Sequence, residues 1–191
     1  MMRFINILSS ALTITLLPVN FALGGDAPIY KDGLLTIPSV NTAEQVGQYQ
    51  DVTFKLTEQG NWQLSSFKAI GTVIGESDLR LVPIGKVEVI KNDTFPTQVF
   101  LRLSGVLGGC FSQSLGQINQ RLENNLFNVV VTASYYVNPY HPTLCPAFTT
   151  SFVKTIPLAV YGLSAGTYSY NVNGTTGTFE LTANNKYPGD Y

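Results

Sequence analysis

The sequence predicts an all-β protein, an antiparallel β-sandwich preceded by a small β-hairpin unit. Three observations carry this. Apolar and polar residues alternate with a period of two through short segments, as where Val99, Leu101 and Leu103 interleave with Phe100, Arg102 and Ser104, the pattern of a strand with one buried face. Turn signals recur roughly every 8–12 residues from residue 86 onward, the spacing of a sandwich or barrel. Tyr, Phe, Thr and Val, which fit a pleated surface, are plentiful.

The chain opens on Met1-Met2-Arg3, continues without charge from Ile5 to Leu23, and closes on the small-x-small sequence Ala22-Leu23-Gly24. A basic start, an apolar middle and small residues at the cut predict a secretory signal peptide over residues 1–24. Pro18 and Asn20 shorten the apolar run below the roughly 20 residues a spanning helix needs. The reading is therefore a cleaved signal, leaving a mature chain with no transmembrane span that works in the periplasm or outside the cell. No Cys stands near the cut to take a lipid.

Charged residues make up 12% of the 191 and the formal net charge is −1. Nothing here neutralises a phosphate backbone, so nucleic acid is not an expected partner. The two cysteines, Cys110 and Cys145, read in an oxidising compartment as one structural disulfide. They are too far apart in sequence for an ordinary redox pair.

Residues 25–70 read as the hairpin unit. Leu34-Leu35-Thr36-Ile37 is a short strand that Pro38 ends. Val52, Phe54 and Leu56 alternate with polar neighbours, Gln59-Gly60-Asn61 turns the chain, and Trp62 shares a strand face with Leu64. Residues 71–85, with Gly71, Gly75, Pro83 and Gly85, have linker composition. Glu76 and Asp78 in that stretch are too few ligands for calcium.

The sandwich is expected over 86–183, with a tail at 184–191. Its strands are centred on Val87–Val89, Val99–Leu103, Phe127–Ala133, Phe148–Ile156 and Tyr168–Val172, and a last one holds Phe179 and Leu181. The fourth breaks at Pro157 and resumes as Leu158-Ala159-Val160. Leu115, Ile118 and Leu122 fit a helical stripe, but a strand turning at Glu123-Asn124-Asn125 into the next fits the surroundings better. Phe100 and Val130 face outward in their strands, which suggests a covered outer face that the first unit supplies.

Leu163-Ser164-Ala165-Gly166-Thr167-Tyr168 reads Leu-x-x-Gly-x-Tyr and resembles the tyrosine corner of immunoglobulin-like and fibronectin-like sandwiches. The resemblance implies that the Tyr168 hydroxyl bonds back to the chain a few residues upstream, that Gly166 permits the bend, and that the Tyr168–Leu181 hairpin supplies the last two strands. It departs from antibody domains because Cys110 follows one strand and Cys145 precedes another, tying loops rather than pinning the sheets. The run from Gly109-Cys110 through Ile156-Pro157-Leu158 to Val172-Asn173-Gly174 also resembles a domain of bacterial exported proteins, which implies no activity.

Chemistry is sparse. The single histidine, His141, sits in Val137-Asn138-Pro139-Tyr140-His141-Pro142. One His and two bridged cysteines leave no set of zinc ligands, no serine lies in a nucleophile-elbow sequence, and no Gly-rich phosphate loop is present. No catalytic residue, metal or cofactor is expected. Tyr135, Tyr136, Tyr140 and His141 gather in seven residues near Cys145, and aromatic side chains on a scaffold loop anchor partners or stack on sugars. Tyr136, Tyr140 and His141 are the candidate binding residues; the alternative is that these tyrosines only cover the core edge. Asn92-Asp93-Thr94 and Asn173-Gly174-Thr175 match glycosylation acceptors. The expected function is a non-catalytic exported binding or structural module of the cell envelope. The alternative is an inhibitor or recognition module acting on a protein or glycan through residues 135–142. The expected partner is another envelope or extracellular protein, with a glycan second.

Overall fold

The computed structural model describes residues 27–71, 78–136, 145 and 147–189. The signal-like segment 1–24 lies outside them, and no helix among the described residues is long and apolar enough to cross a membrane.

The first unit is a four-stranded antiparallel meander, one strand more than the sequence suggested: β1 (Ile29–Lys31), β2 (Leu34–Val40), β3 (Tyr49–Leu56) and β4 (Trp62–Ala69). Asp32 and Gly33, both at positive φ, make the two-residue turn from β1 to β2, the geometry Asp-Gly favours. Pro38 does not end β2. The β2–β3 pairing passes from Ile37↔Val52 to Ser39↔Gln50 and skips Pro38. Asp51, opposite it, sits at φ 51 beside an irregularity in the β3–β4 register. The missing proline N–H therefore falls where the ladder is interrupted.

Within the stretch of linker composition, Asp78–Leu81 forms β5 and pairs with a central strand of the sandwich. Lys86–Lys91 (β6), Val99–Gly108 (β7) and Thr149–Leu158 (β10) make one sheet in the order β10-β7-β6. The other runs β12-β11-β9-β5, from Thr175–Leu181 (β12) and Gly166–Val172 (β11) to Leu126–Tyr135 (β9), with Ile118–Glu123 (β8) on the remaining edge of β9. Residues 118–123 are thus a strand, turned into β9 by Asn124 and Asn125 at positive φ. β10 runs unbroken through Pro157, which pairs with Phe100. It can do so because β10 is an edge strand, where the proline nitrogen faces away from the ladder. Leu158 closes the strand, so Ala159 and Val160 lie beyond it.

Alternation decides the core. Val99, Leu101 and Leu103 from β7, Phe127, Val129 and Val131 from β9, and Tyr168, Tyr170 and Val172 from β11 meet between the sheets. A fully buried Leu or Phe contributes about 1.5–3 kcal/mol, so this layer supplies most of the cohesion. Pairings between named strands are antiparallel except β9 with β11, which run parallel over Leu126–Val129 and Ser169–Val172. The Tyr168 hydroxyl donates to the Ser164 carbonyl at 2.9 Å, and Gly166 takes φ 154 in the bend between them.

The edge of β9 facing β11 changes partner partway along. β11 serves it as far as Val129, and β5 takes over at Thr132. Asn173 bridges the gap. Its backbone N–H donates to Val129 O at 3.2 Å. Its side-chain Oδ1 accepts from Val131 N–H at 3.1 Å, while Nδ2 donates to Val131 O at 2.7 Å and Val82 O at 2.9 Å. The side-chain amide stands where a peptide group of a neighbouring strand would stand. With Nδ2 committed to two carbonyls, Asn173 is no glycan acceptor in the folded protein. Asn92 is likewise engaged in its turn, accepting from Gln98 N–H at 2.7 Å and donating to Thr94 at 2.7 Å.

The tail is anchored rather than loose. Asn185, 1% exposed, accepts from Thr97 N–H at 2.7 Å and donates to Thr97 O at 2.8 Å and Val160 O at 3.0 Å.

The meander docks on the outer face of β8 and β9. Gln50 is buried and its side chain meets Thr132 Oγ1 at 3.4 Å. Arg121 donates to Thr42 O at 2.8 Å and Ala43 O at 3.0 Å, and Gln117 donates to Asp51 at 3.0 Å. Gly47, at φ 63, abuts the Asn119 side chain so closely that a Cβ would collide with it. Val130 is buried beneath this contact. Phe100 belongs to the other sheet and instead borders a concavity with Pro96, Pro157 and Tyr161.

The corner bond gives a direct test. Tyr168→Phe should lower stability by about 1–2 kcal/mol, the cost of losing a part-buried hydrogen bond that fixes the bend. Tyr136→Phe, at an exposed position, should leave it unchanged in urea denaturation. Equal midpoints for the two variants would contradict the corner's role.

Candidate binding site

Cys110 and Cys145 are bonded, with 35 residues of sequence separation and Cα atoms 4.7 Å apart. Cys110 follows β7 and Cys145 precedes β10, so the bridge ties two connections at one end of the sandwich. It also fixes the root of the aromatic loop. The Tyr136 N–H donates to Cys110 O at 2.8 Å, Ser112 N–H donates to Ser134 O at 2.8 Å, and Phe111 and Tyr135 form an isolated antiparallel bridge.

Of the candidate binding residues, Tyr136 is described and 52% exposed. Tyr140 and His141 lie outside the described residues. Tyr135 does not turn into the main core. Its ring meets that of Phe111 edge-on, with centroids 5.1 Å apart, and the Arg80 guanidinium lies 5.4 Å from its centroid, a cation–π arrangement. Beside this pair opens a groove of about 540 Å³ bordered by Ile70, Gly71, Arg80, Leu81, Phe111 and Tyr135.

Sequence reasoning missed Arg80 and Phe111. Leu79-Arg80-Leu81 does alternate like a strand, a signal masked by the surrounding glycines. Phe111 is identified only by its neighbour Cys110, once the bridge is seen to root the loop. Among the described residues the groove's chemistry is that of contact: apolar and aromatic walls with one cation and a phenol.

A family model described as the ORF11 beta-sandwich domain matches residues 101–181. That stretch is the sandwich from Leu101 in β7 to the last residue of β12, and it holds the bridge, Phe111, Tyr135, Tyr136 and the Tyr168 corner. The meander, β5 and β6 lie before it. No curated protein and no solved structure matches the chain.

Closing a loop of about 36 residues restricts the unfolded chain by up to roughly 4 kcal/mol. Replacing both Cys110 and Cys145 by Ser should therefore lower stability by up to about 4 kcal/mol in chemical denaturation. In the native protein, alkylation should label two thiols only after reduction. Free thiols in protein taken from its own compartment would contradict the bridge.

Proposed function

We propose that the protein is a non-catalytic binding module of the cell envelope, exported and acting outside the cytoplasm, that captures a partner at the groove beside the aromatic loop. The observation that carries this reading is the disulfide-rooted Phe111–Tyr135–Arg80 wall, with the exposed Tyr136 next in the chain. A rooted loop lowers the ordering cost of association, and aromatic and arginine side chains dominate binding hot spots. The basic, apolar and small-residue start of the chain supports export, and a disulfide is at home in an oxidising compartment. The Tyr168–Ser164 bond and the hairpin that follows it support an immunoglobulin-like or fibronectin-like sandwich. The parallel β9–β11 pair sets this sandwich apart from antibody domains.

A protein partner is favoured over a glycan. Arg80 covers one face of Tyr135 and Phe111 meets the ring edge-on, which leaves less of that ring open for sugar stacking. The groove is better suited to an apolar side chain set against a cation.

Replacing Tyr136 and Tyr140 together by Ala should leave the thermal midpoint nearly unchanged. It should also weaken capture of the partner that copurifies with the native protein by roughly 30-fold, about 2 kcal/mol over two anchors. Early unfolding of the double variant would make these tyrosines structural. Unchanged capture by a folded variant would move the site elsewhere.

A further inference from the structure

The meander meets the sandwich through polar contacts around Gln50, and its apolar face points away. Tyr49, Phe54, Leu64 and Phe67 surround one shallow depression on that face. Trp62 extends it, as Trp62 alternates with Leu64 and its ring packs edge-on against Tyr30 at 5.9 Å. Trp62, Leu64 and Phe67 are each about half exposed. Strands become stable by packing an apolar face against a second layer, and among the described residues no such layer covers this one.

We propose that the second layer is the same face of another copy of the chain, the two meanders stacking into an intermolecular β-sandwich. Area supports this occupant. Aromatic side chains bury about 150–250 Å² each, so the open halves of Tyr30, Trp62 and Phe67 offer roughly 300 Å². With the smaller open parts of Tyr49, Phe54 and Leu64 the face presents roughly 500 Å², so two copies remove about 1,000 Å², the size a specific interface should clear. Charge supports it as well. A two-fold contact sets each patch against itself, and none of the residues lining the depression is charged. Two copies therefore meet without opposing like charges. The inference concerns a surface separate from the loop groove and stands independently of it.

Trp62 is the chain's single tryptophan, so it reports on this face alone. The test is sedimentation equilibrium on the exported, disulfide-bonded protein up to roughly 100 µM, a range that captures micromolar association, with tryptophan emission followed in parallel. The expected result is a dimer whose formation shifts Trp62 emission to shorter wavelength. Leu64→Lys with Phe67→Lys should be monomeric, with the emission of an exposed indole and the same far-ultraviolet circular dichroism. Should that variant misfold, iodide quenching of Trp62 in the native protein across the same dilution series decides the question, falling as the dimer forms. A monomer at every concentration overturns the proposal, including one whose Trp62 becomes shielded only on adding phosphatidylglycerol vesicles. A dimer in which Trp62 remains fully quenchable overturns it too.

Discussion

The side-chain amide of Asn173 occupies a place in the fold that only a peptide-like group can fill. β9 carries β8 on one edge, and on the other it must pass from β11 to β5 within a few residues. At such a handover a backbone N–H and C=O face a gap, and an unpaired buried polar group costs about 1–3 kcal/mol. Asn173 supplies an acceptor to Val131 N–H and donors to the carbonyls of Val131 and Val82. It does so from a turn at φ 48, a conformation asparagine tolerates better than most residues. Asn185 performs the same service between the tail, Thr97 and Val160. Both are long-range staples made by amides.

Because β9 is held on both edges, both of its faces can be buried. Phe127, Val129, Val131 and Ala133 fill the sandwich, while Val130 and Thr132 lie beneath the meander. This second contact is largely polar, built on Gln50, Gln117 and Arg121. Its consequence is an inverted use of the meander, polar contacts inward and aromatic face outward. The edge strands differ in the same sense. β6 carries Lys86, Glu88 and Lys91 on its six residues, a charged edge that discourages pairing, while β4 offers Trp62, Leu64 and Phe67.

Much of the sandwich is legible because its signals are local. Period-two alternation marks β7, β9 and β11, Asn173-Gly174 marks the last hairpin, and Leu-x-x-Gly-x-Tyr marks the bend that the Tyr168–Ser164 bond closes. The two prolines mislead for one reason. Their effect depends on what lies across the ladder, a gap opposite Pro38 and an edge at Pro157, and neither is visible in the residues beside them. β5 hides among glycines since its alternation lasts only from Asp78 to Leu81. The amide staples leave no trace at all, for Asn173 and Val82 are 91 residues apart, and Asn173-Gly174-Thr175 reads instead as a glycan acceptor. At the loop, Tyr136 could be named from composition, but the groove beside it is assembled from Ile70, Arg80 and Phe111, which only the folded chain brings together.

The most direct measurement is amide hydrogen exchange at Val131 in native protein and in Asn173→Gly, which keeps the positive φ accessible and removes only the side-chain amide. In the native protein the Val131 amide should be among the slowest to exchange. In the variant it should exchange at a rate typical of an unpaired edge, protection should also fall along β5, and global stability should drop by about 2–3 kcal/mol. Unchanged protection at Val131 with an unchanged denaturation midpoint would contradict the account, because the handover on β9 would then be sustained without Asn173.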